Sequence, residues 1–349
     1  MTDRRDYNLL GNNTFGISEE CRRFIQFDSV EELRGVLSSL TAEDSPLLVI
    51  GGGSNLLFTK RFNGTVLRSG IRGIEVIEED DSDSVLVRCG SGENFDDVVA
   101  YCVEHGYHGA ENLSIIPGDV GASAVQNIGA YGCEAKDIVY TVEALDVFTG
   151  EDVSFANADC NYGYRQSRFK REWKGRYVIT YVTYRLAKNF IPHLEYGNIV
   201  SELEKRGISV PTAKDVREVI IEIRNAKLPD PKVEGNAGSF FMNPVVSRER
   251  FLQLMDNYPS MPHYHVDDSH EKIPAGWLIE QCGWKGRGLS GGEPADGAVC
   301  KAAVHSKQAL VLVNKGGATG KDIVALSNAI RKSVKEKFDI DIYPEVNCL

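Results

Sequence analysis

No two of the eight cysteines form a C-x-x-C pair, so neither a zinc ribbon nor a thioredoxin-type redox motif is encoded. Long apolar stretches are also missing. Runs such as Leu47–Ile50 and Ala309–Val313 stop after four or five residues, whereas a membrane span needs roughly 20. The opening Met1-Thr2-Asp3-Arg4-Arg5-Asp6-Tyr7 has no apolar segment of the kind a signal peptide carries. Positive charge is in deficit, with 39 Lys and Arg against 50 Asp and Glu and a net charge of −11. That argues against a nucleic-acid partner, since phosphate neutralisation drives such binding. Internal repeats and low-complexity tracts are absent as well. The expectation is a cytoplasmic protein with no membrane partner, whose cysteines serve mostly as small buried hydrophobes.

What is present fits a large globular chain. Its 349 residues leave room for two to three domains at about 150 residues each. Ser29 with Glu32 has capping-box spacing and opens a predicted helix over 30–40. Leu47–Ile50 reads as a buried strand, with short strands at Thr65–Arg68, Ile74–Ile77 and Val85–Cys89. Asn94 caps a second helix, which Gly106 closes. Residues 113–132 fit neither a helical nor a strand period. Strands are expected at Val142–Phe148 and at Tyr177–Leu186, the latter with Val178, Thr180, Val182 and Tyr184 on one face. Pro229-Asp230-Pro231 marks a boundary. Beyond it, helices near 247–257 and 274–282 flank a Pro/His-rich loop. A strand at Ala309–Val313, a long helix capped at Thr319 and a final strand at Ile340–Val346 complete the chain. The mixture reads as α+β.

Three segments suggest chemistry. Gly51-Gly52-Gly53-Ser54-Asn55-Leu56 follows a strand directly, so backbone N–H groups can converge without Cβ obstruction, as in a phosphate-binding nest. A tight turn would use the same residues. The stretch Pro117–Gly132 is long and rich in Gly, Ala and Ser, and suits close backbone approach to a pyrophosphate or a flat ring. Gly238-Ser239-Phe240-Phe241 sets a hydroxyl beside two aromatics, either a proton donor in a dry pocket or a turn serine. Two look-alikes carry less weight. Gly286-Arg287-Gly288-Leu289-Ser290-Gly291 follows a helix where a dinucleotide fingerprint follows a strand, and Gly316–Lys321 has the wrong spacing for a Walker loop. His263, His265 and His270 with Asp267 and Asp268 read as a polar loop, and no metal is expected.

Taken in order, Gly51–Leu56, Ile116-Pro117-Gly118, Gln126–Gly132, Gly163-Tyr164-Arg165-Gln166-Ser167, Lys227–Lys232, Gly235–Pro244 and Pro344-Glu345-Val346 resemble the UDP-N-acetylenolpyruvoylglucosamine reductases. The resemblance runs from about Thr14 to Val346. It implies a two-part FAD-binding region of the vanillyl-alcohol-oxidase type, residues 1–71 with 340–349 and residues 72–227, plus a separate α+β substrate domain at 228–339. It implies FAD as cofactor and NADPH as reducing co-substrate. The enolpyruvyl sugar nucleotide then receives hydride at the vinyl carbon β to its carboxylate and a proton at the α carbon. A monomer is expected.

Residue by residue, the resemblance implies that Arg165 binds the carboxylate, that Glu345 in its protonated form shares the enolic charge, and that Ser239 protonates the α carbon. It implies FAD contacts at Gly51, Gly52, Gly53, Ser54, Asn55, Leu56, Ile116, Pro117, Gly118 and Ser123. Further contacts follow at Asn127, Ile128, Gly129, Ala130, Tyr131 and Gly132. For the substrate it implies Tyr196 on a closing loop, Arg224 and Lys227 near the diphosphate, and Asn243 and Tyr264. Three departures stand out: Met242 where a lysine is expected, a longer glycine-rich Gly283–Cys300 stretch, and the tail Asn347-Cys348-Leu349. An oxidase of the wider fold, or a non-catalytic sugar-nucleotide binder, would share parts of this pattern but has no need of the three catalytic residues together.

Overall fold

The computed structural model describes residues 1–77 and 83–349. They form two compact units, each assembled from separated pieces of chain. The first gathers Met1–Tyr7, Cys21–Gly52 and Asn63–Ala226; the second gathers Asn8–Glu20, Gly53–Phe62 and Lys227–Leu349.

The first unit holds a four-stranded and a five-stranded sheet. In the smaller sheet, Leu47–Ile50 pairs in parallel with Phe62–Ser69, Ile50 opposite Arg68. Helix α1 (Val30–Ser39) is capped as expected, Ser29 accepting from the Glu32 N–H. Its Leu33, Val36 and Leu37 pack with Ile25, Phe27 and Leu67. In the larger sheet, antiparallel strands Val139–Asp146, Tyr177–Ala187 and Ser84–Gly90 lie side by side. Helices α2 (Phe95–Glu104) and α3 (Val120–Gln126) bury Val98, Val99, Cys102, Val120 and Ala124 against them. A helix pair, α4 (Ile199–Lys205) and α5 (Ala213–Lys227), has a core of its own around Leu203, Val219 and Ile223.

Two expectations change in this unit. Residues 113–132 are not without structure, because α3 lies among them. Its buried face is made of Gly121, Ser123 and Ala124 as well as Val120, too small to show an apolar period. The strand Tyr177–Ala187 does not keep one face throughout. Glu143 pairs with Tyr181 but Ala144 with Ile179, which leaves Thr180 as a bulge. A one-residue insertion swaps faces, so Val178 joins the α1 core while Ile179, Val182 and Tyr184 join the α2/α3 core.

The second unit has a five-stranded antiparallel sheet in the order Gly235–Ser239, Val311–Asn314, Ala302–Val304, Arg287–Ser290, Glu293–Asp296. Helices α6 (Arg248–Asn257), α7 (Ala275–Gln281) and α8 (Gly320–Phe338) surround a core with Phe240, Phe241, Trp284, Leu326 and Phe338. Thr319 and Asp322 form a full capping box on α8, so the Gly316–Lys321 string is helix chemistry. The Gly283–Cys300 stretch contains a hairpin whose Gly291-Gly292 turn takes φ of +60 and +88. Gly288 is a packing glycine, for a Cβ there would meet the Ala302 carbonyl oxygen at 2.6 Å.

The expected strand Ile340–Val346 is not a ladder strand. It makes one bridge, Phe241 to Pro344, and the strand proper is Asn347–Cys348, parallel to Leu56–Leu57. Ile340, Ile342 and Val346 are buried at even spacing, which imitates a strand period, while Pro344 has no N–H to offer a partner. Four cysteines, Cys21, Cys89, Cys102 and Cys160, are buried, three are half-buried and Cys348 is exposed. Burial raises the thiol of Cys102 to about 12 and suppresses its reactivity.

Candidate active site

In the first unit the two glycine-rich segments meet. A Cβ on Gly51 would stand 3.2 Å from Ala122 Cβ, and one on Gly52 would stand 3.3 Å from Gly118 Cα and from an Asp119 carboxylate oxygen. The strand Leu47–Ile50 leads directly into the loop, and a side chain at Gly51 or Gly52 would make its neighbours give by a few tenths of an ångström. In the second unit the loop continues under stricter constraint. Gly53 has φ +68, and a Cβ would lie 2.0 Å from the Asn12 carbonyl oxygen. Asn55 then meets the C-terminal segment, its side-chain amide donating to the Glu345 carbonyl at 3.4 Å and its carbonyl accepting from the Asn347 N–H at 3.1 Å. A backbone kept clear of side chains suits the diphosphate of FAD.

Arg165 is fixed by residues of the first unit. It sits in a tight turn with φ +55, where Gly163 and Gln166 exchange backbone hydrogen bonds at 3.0 Å. Its guanidinium donates to the Gly129 carbonyl at 2.6 Å and to the Asn127 carbonyl at 3.4 Å, with Glu134 at 3.9 Å. Asn127 is fully buried and left-handed, φ +46. Its amide donates to the Gly163 carbonyl at 2.8 Å and to Glu134 at 3.2 Å, while its side-chain oxygen accepts from the Lys136 N–H. Asn127 therefore ties the 129–134 hairpin to the turn that carries Arg165. Ser123 is likewise occupied, donating to the Val120 carbonyl at 2.6 Å and meeting the Tyr184 hydroxyl at 2.9 Å.

Tyr196 and Tyr131 pack on each other's glycine neighbours. A Cβ on Gly132 would meet the Tyr196 ring at 3.2 Å, and one on Gly197 the Tyr131 ring at 3.3 Å. Asn112 pins both strands of this contact by donating to the Tyr131 and His193 carbonyls at 2.8 and 2.9 Å. Arg224, on α5, is deeply placed. Burial opposes its charge, its Nε has no partner, and one Nη reaches the Ile115 carbonyl at 3.5 Å. A buried cation with an unused donor is suited to an anionic ligand.

In the second unit Ser239 and Glu345 come together through the main chain. Ser239 ends the strand Gly235–Ser239 opposite Val311, with its side chain exposed. The Glu345 N–H donates to the Phe240 carbonyl at 2.8 Å, and Met242 N–H to the Tyr343 carbonyl at 3.0 Å. Phe240 and Phe241, fully buried, anchor this edge. Asn243 is partly committed, since its side-chain oxygen accepts from the Ala275 N–H at the start of α7. Tyr264 stands exposed beside Lys272, and Lys227 is exposed at the end of α5.

The histidine loop forms a small sheet. His270 pairs with Asp267 at 2.9 Å and His265 with Glu271 at 3.2 Å. Among the described residues no three His, Cys, Asp or Glu side chains group as a metal site. Two residues escaped the sequence reading: Glu134, beside Arg165, and Asp119, beside Gly52. The approach of Glu134 to Arg165 and of Asp119 to Gly52 joins positions far apart in the chain, and neither acid lies in a recognisable charge motif.

Comparison with known proteins identifies the family. Residues 22–154 match an FAD binding domain, and residues 230–349 match the C-terminal domain of UDP-N-acetylenolpyruvoylglucosamine reductase. The chain is 54% identical over 342 residues to the UDP-N-acetylenolpyruvoylglucosamine reductase of Bacteroides fragilis, covering 98% of each. It is 44% identical over 350 residues to that of Flavobacterium johnsoniae, covering 100% of each. Its fold resembles the crystal structure of the Thermus caldophilus reductase, with TM-score 0.66, 20% identity, and 100% and 99% of the two chains covered. The α+β fold thus combines an FAD binding domain with the C-terminal domain of the reductase family. On this full-length similarity, the chain belongs to the UDP-N-acetylenolpyruvoylglucosamine reductase family.

Proposed function

We propose that this chain reduces UDP-N-acetylenolpyruvoylglucosamine to UDP-N-acetylmuramate through bound FAD, with NADPH as reductant, in the cytoplasmic synthesis of peptidoglycan precursors. The observation that carries this reading is the Glu345 N–H bond to the Phe240 carbonyl, which brings Glu345 to the residue that follows Ser239. Residues 1–71 with 340–349 and residues 72–227 are the FAD-binding parts, and 228–339 the substrate part. The protein works as a monomer. Among the described residues no helix is long and apolar enough to cross a membrane, which accords with a sugar nucleotide as partner.

FAD, when bound, supplies the hydride chemistry. The remaining task is to manage charge. Hydride addition at the vinyl carbon β to a carboxylate builds an enolate-like dianion, which needs preorganised donors. Arg165 provides a planar fork for the carboxylate oxygens, and its bonds to the Gly129 and Asn127 carbonyls fix its direction beforehand. Glu345 is the partner acid that shares the enolic charge. Ser239 then gives its proton to the α carbon. A serine hydroxyl is a weak acid, but an enolate carbon is a strong base, so the transfer runs downhill. Gly51 through Leu56 hold the FAD diphosphate by backbone, and Ile116–Gly118 and the Asn127–Gly132 segment make further FAD contacts. Arg224 and Lys227 neutralise the substrate diphosphate. Tyr196 closes over the nucleotide, and Asn243 and Tyr264 hold the sugar-nucleotide side.

An anaerobic visible spectrum tests the reading. NADPH bleaches the flavin band, and the enolpyruvyl sugar nucleotide restores it. A band that bleaches and stays bleached overturns the substrate assignment. A protein that takes up no FAD overturns the whole reading.

A further inference from the structure

Asp119 is a buried carboxylate in the first unit. Its residue is 8% exposed, and among the described residues its carboxylate accepts no hydrogen bond. It lies against the glycine loop, with one oxygen 3.4 Å from where a Gly51 Cβ would sit and the other 3.3 Å from a Gly52 Cβ. The elements around it carry few charges. The loop at 51–52 and the segment at Gly118 contribute none. Arg68, next to last in the strand Phe62–Ser69, favours the carboxylate, as does Arg72. Glu93 opposes it and is itself bound to Arg72 at 3.2 Å, so these two largely cancel. Burial is the dominant influence and lifts the carboxyl to about 6.

A buried carboxylate is a poor neighbour for a diphosphate. A second anion brought to the loop would raise the free energy of the charged form still further, and the group would respond by taking a proton. We propose that Asp119 is a proton-linked element of the cofactor site: FAD binds the form with Asp119 neutral, and binding from the ionised form takes up one proton at its carboxyl. This rests on the reading above that the Gly51–Asn55 loop receives the diphosphate of FAD. The linkage has a definite sign. Where Asp119 is already neutral in the free protein, affinity does not depend on pH. Where it is ionised, each pH unit weakens binding about tenfold, the equilibrium cost of supplying one proton.

The test is titration of the apoprotein with FAD, followed by flavin fluorescence, from pH 5.5 to 8. The expected Kd is level at the acid end and rises nearly tenfold (~1 decade) between pH 7 and 8. In Asp119→Asn, which keeps the shape without the charge, Kd changes less than about twofold over that range and is about 100-fold tighter than wild type at pH 8. A level wild-type curve overturns the proposal, and so does an Asp119→Asn curve that keeps the slope. Should Asp119→Asn fail to fold, calorimetry of wild type in two buffers of different ionisation heat counts the proton directly. About one proton taken up per FAD at pH 7.5 supports the linkage, and none overturns it. Gly52→Ala separates the two levels of the argument. If Gly52→Ala binds FAD as wild type does, the loop is not the diphosphate site. If it loses FAD while wild type shows no pH dependence, the loop reading survives and the Asp119 linkage falls.

Discussion

The two units present their candidate catalytic groups in opposite ways. In the first, Arg165 is bound on several sides by its own surroundings, with carbonyls of Gly129 and Asn127 and the carboxylate of Glu134 all in reach. In the second, Ser239 projects from a strand end, and its register is set by neighbouring backbone and by buried Phe240 and Phe241. The difference suits the proposed roles. A cation that must meet developing charge gains from being oriented beforehand, since little reorganisation is left for the reaction itself. A hydroxyl that must surrender a proton cannot have that proton already committed. One side is rigid through its side chains and the other through its main chain.

That contrast can be broken by substitution. The largest effect is expected at Ser239. Ser239→Ala removes the acid and leaves the strand intact, so product formation should fall by about 10³-fold while reduction of FAD by NADPH continues. Stopped-flow measurement of the two half-reactions checks this, and equal losses in both would mean that Ser239 supports the site rather than serving as donor. Next comes Arg165→Lys, which keeps charge but loses the fork and its bonds to the Gly129 and Asn127 carbonyls. A fall of about 10²-fold in kcat is expected, larger than any rise in KM. Asn127→Ala should be milder, about tenfold in kcat, because Arg165 keeps its own bonds while the 163–166 turn loosens. Added guanidinium should rescue Arg165→Ala but not Asn127→Ala, which separates a contact from a support.

Much of this was legible in the sequence where the chemistry is local. Ser29, Asn94 and Thr319 cap the helices they were expected to cap, because a cap involves residues only a few positions apart. The glycines at 51–53 were legible for the same reason. What was not legible depends on distant neighbours. Helix α3 is hidden by small residues that earn their place through contact with Ser91 and Tyr184. The Thr180 bulge is decided by the pairing of another strand, and Pro344 ends a ladder that the burial pattern of Ile340 and Ile342 had suggested. The role of Asn127 as a tie between two loops, and the presence of Glu134 next to Arg165, appear only once the chain is folded.

The finest version of the comparison concerns Ser123, where the resemblance implies a cofactor contact and the geometry shows a hydroxyl already used. Its proton goes to the Val120 carbonyl, and the Tyr184 hydroxyl donates to its oxygen, all inside the first unit. If the locked character of that unit is general, Ser123→Ala should lower the stability of the apoprotein by about 1 kcal/mol, the usual net worth of a buried neutral hydrogen bond. Tyr184→Phe should lose a similar amount, and the double variant less than the sum, since both remove the same bond. The affinity for FAD should change less than about threefold in each case, a shift well under 1 kcal/mol. Thermal melts of the apoproteins give the first quantity and flavin titration the second. A tenfold loss of FAD affinity in Ser123→Ala, with Tyr184→Phe unaffected, would show that the serine turns toward the cofactor and that the first unit is less closed upon itself than its hydrogen bonds indicate.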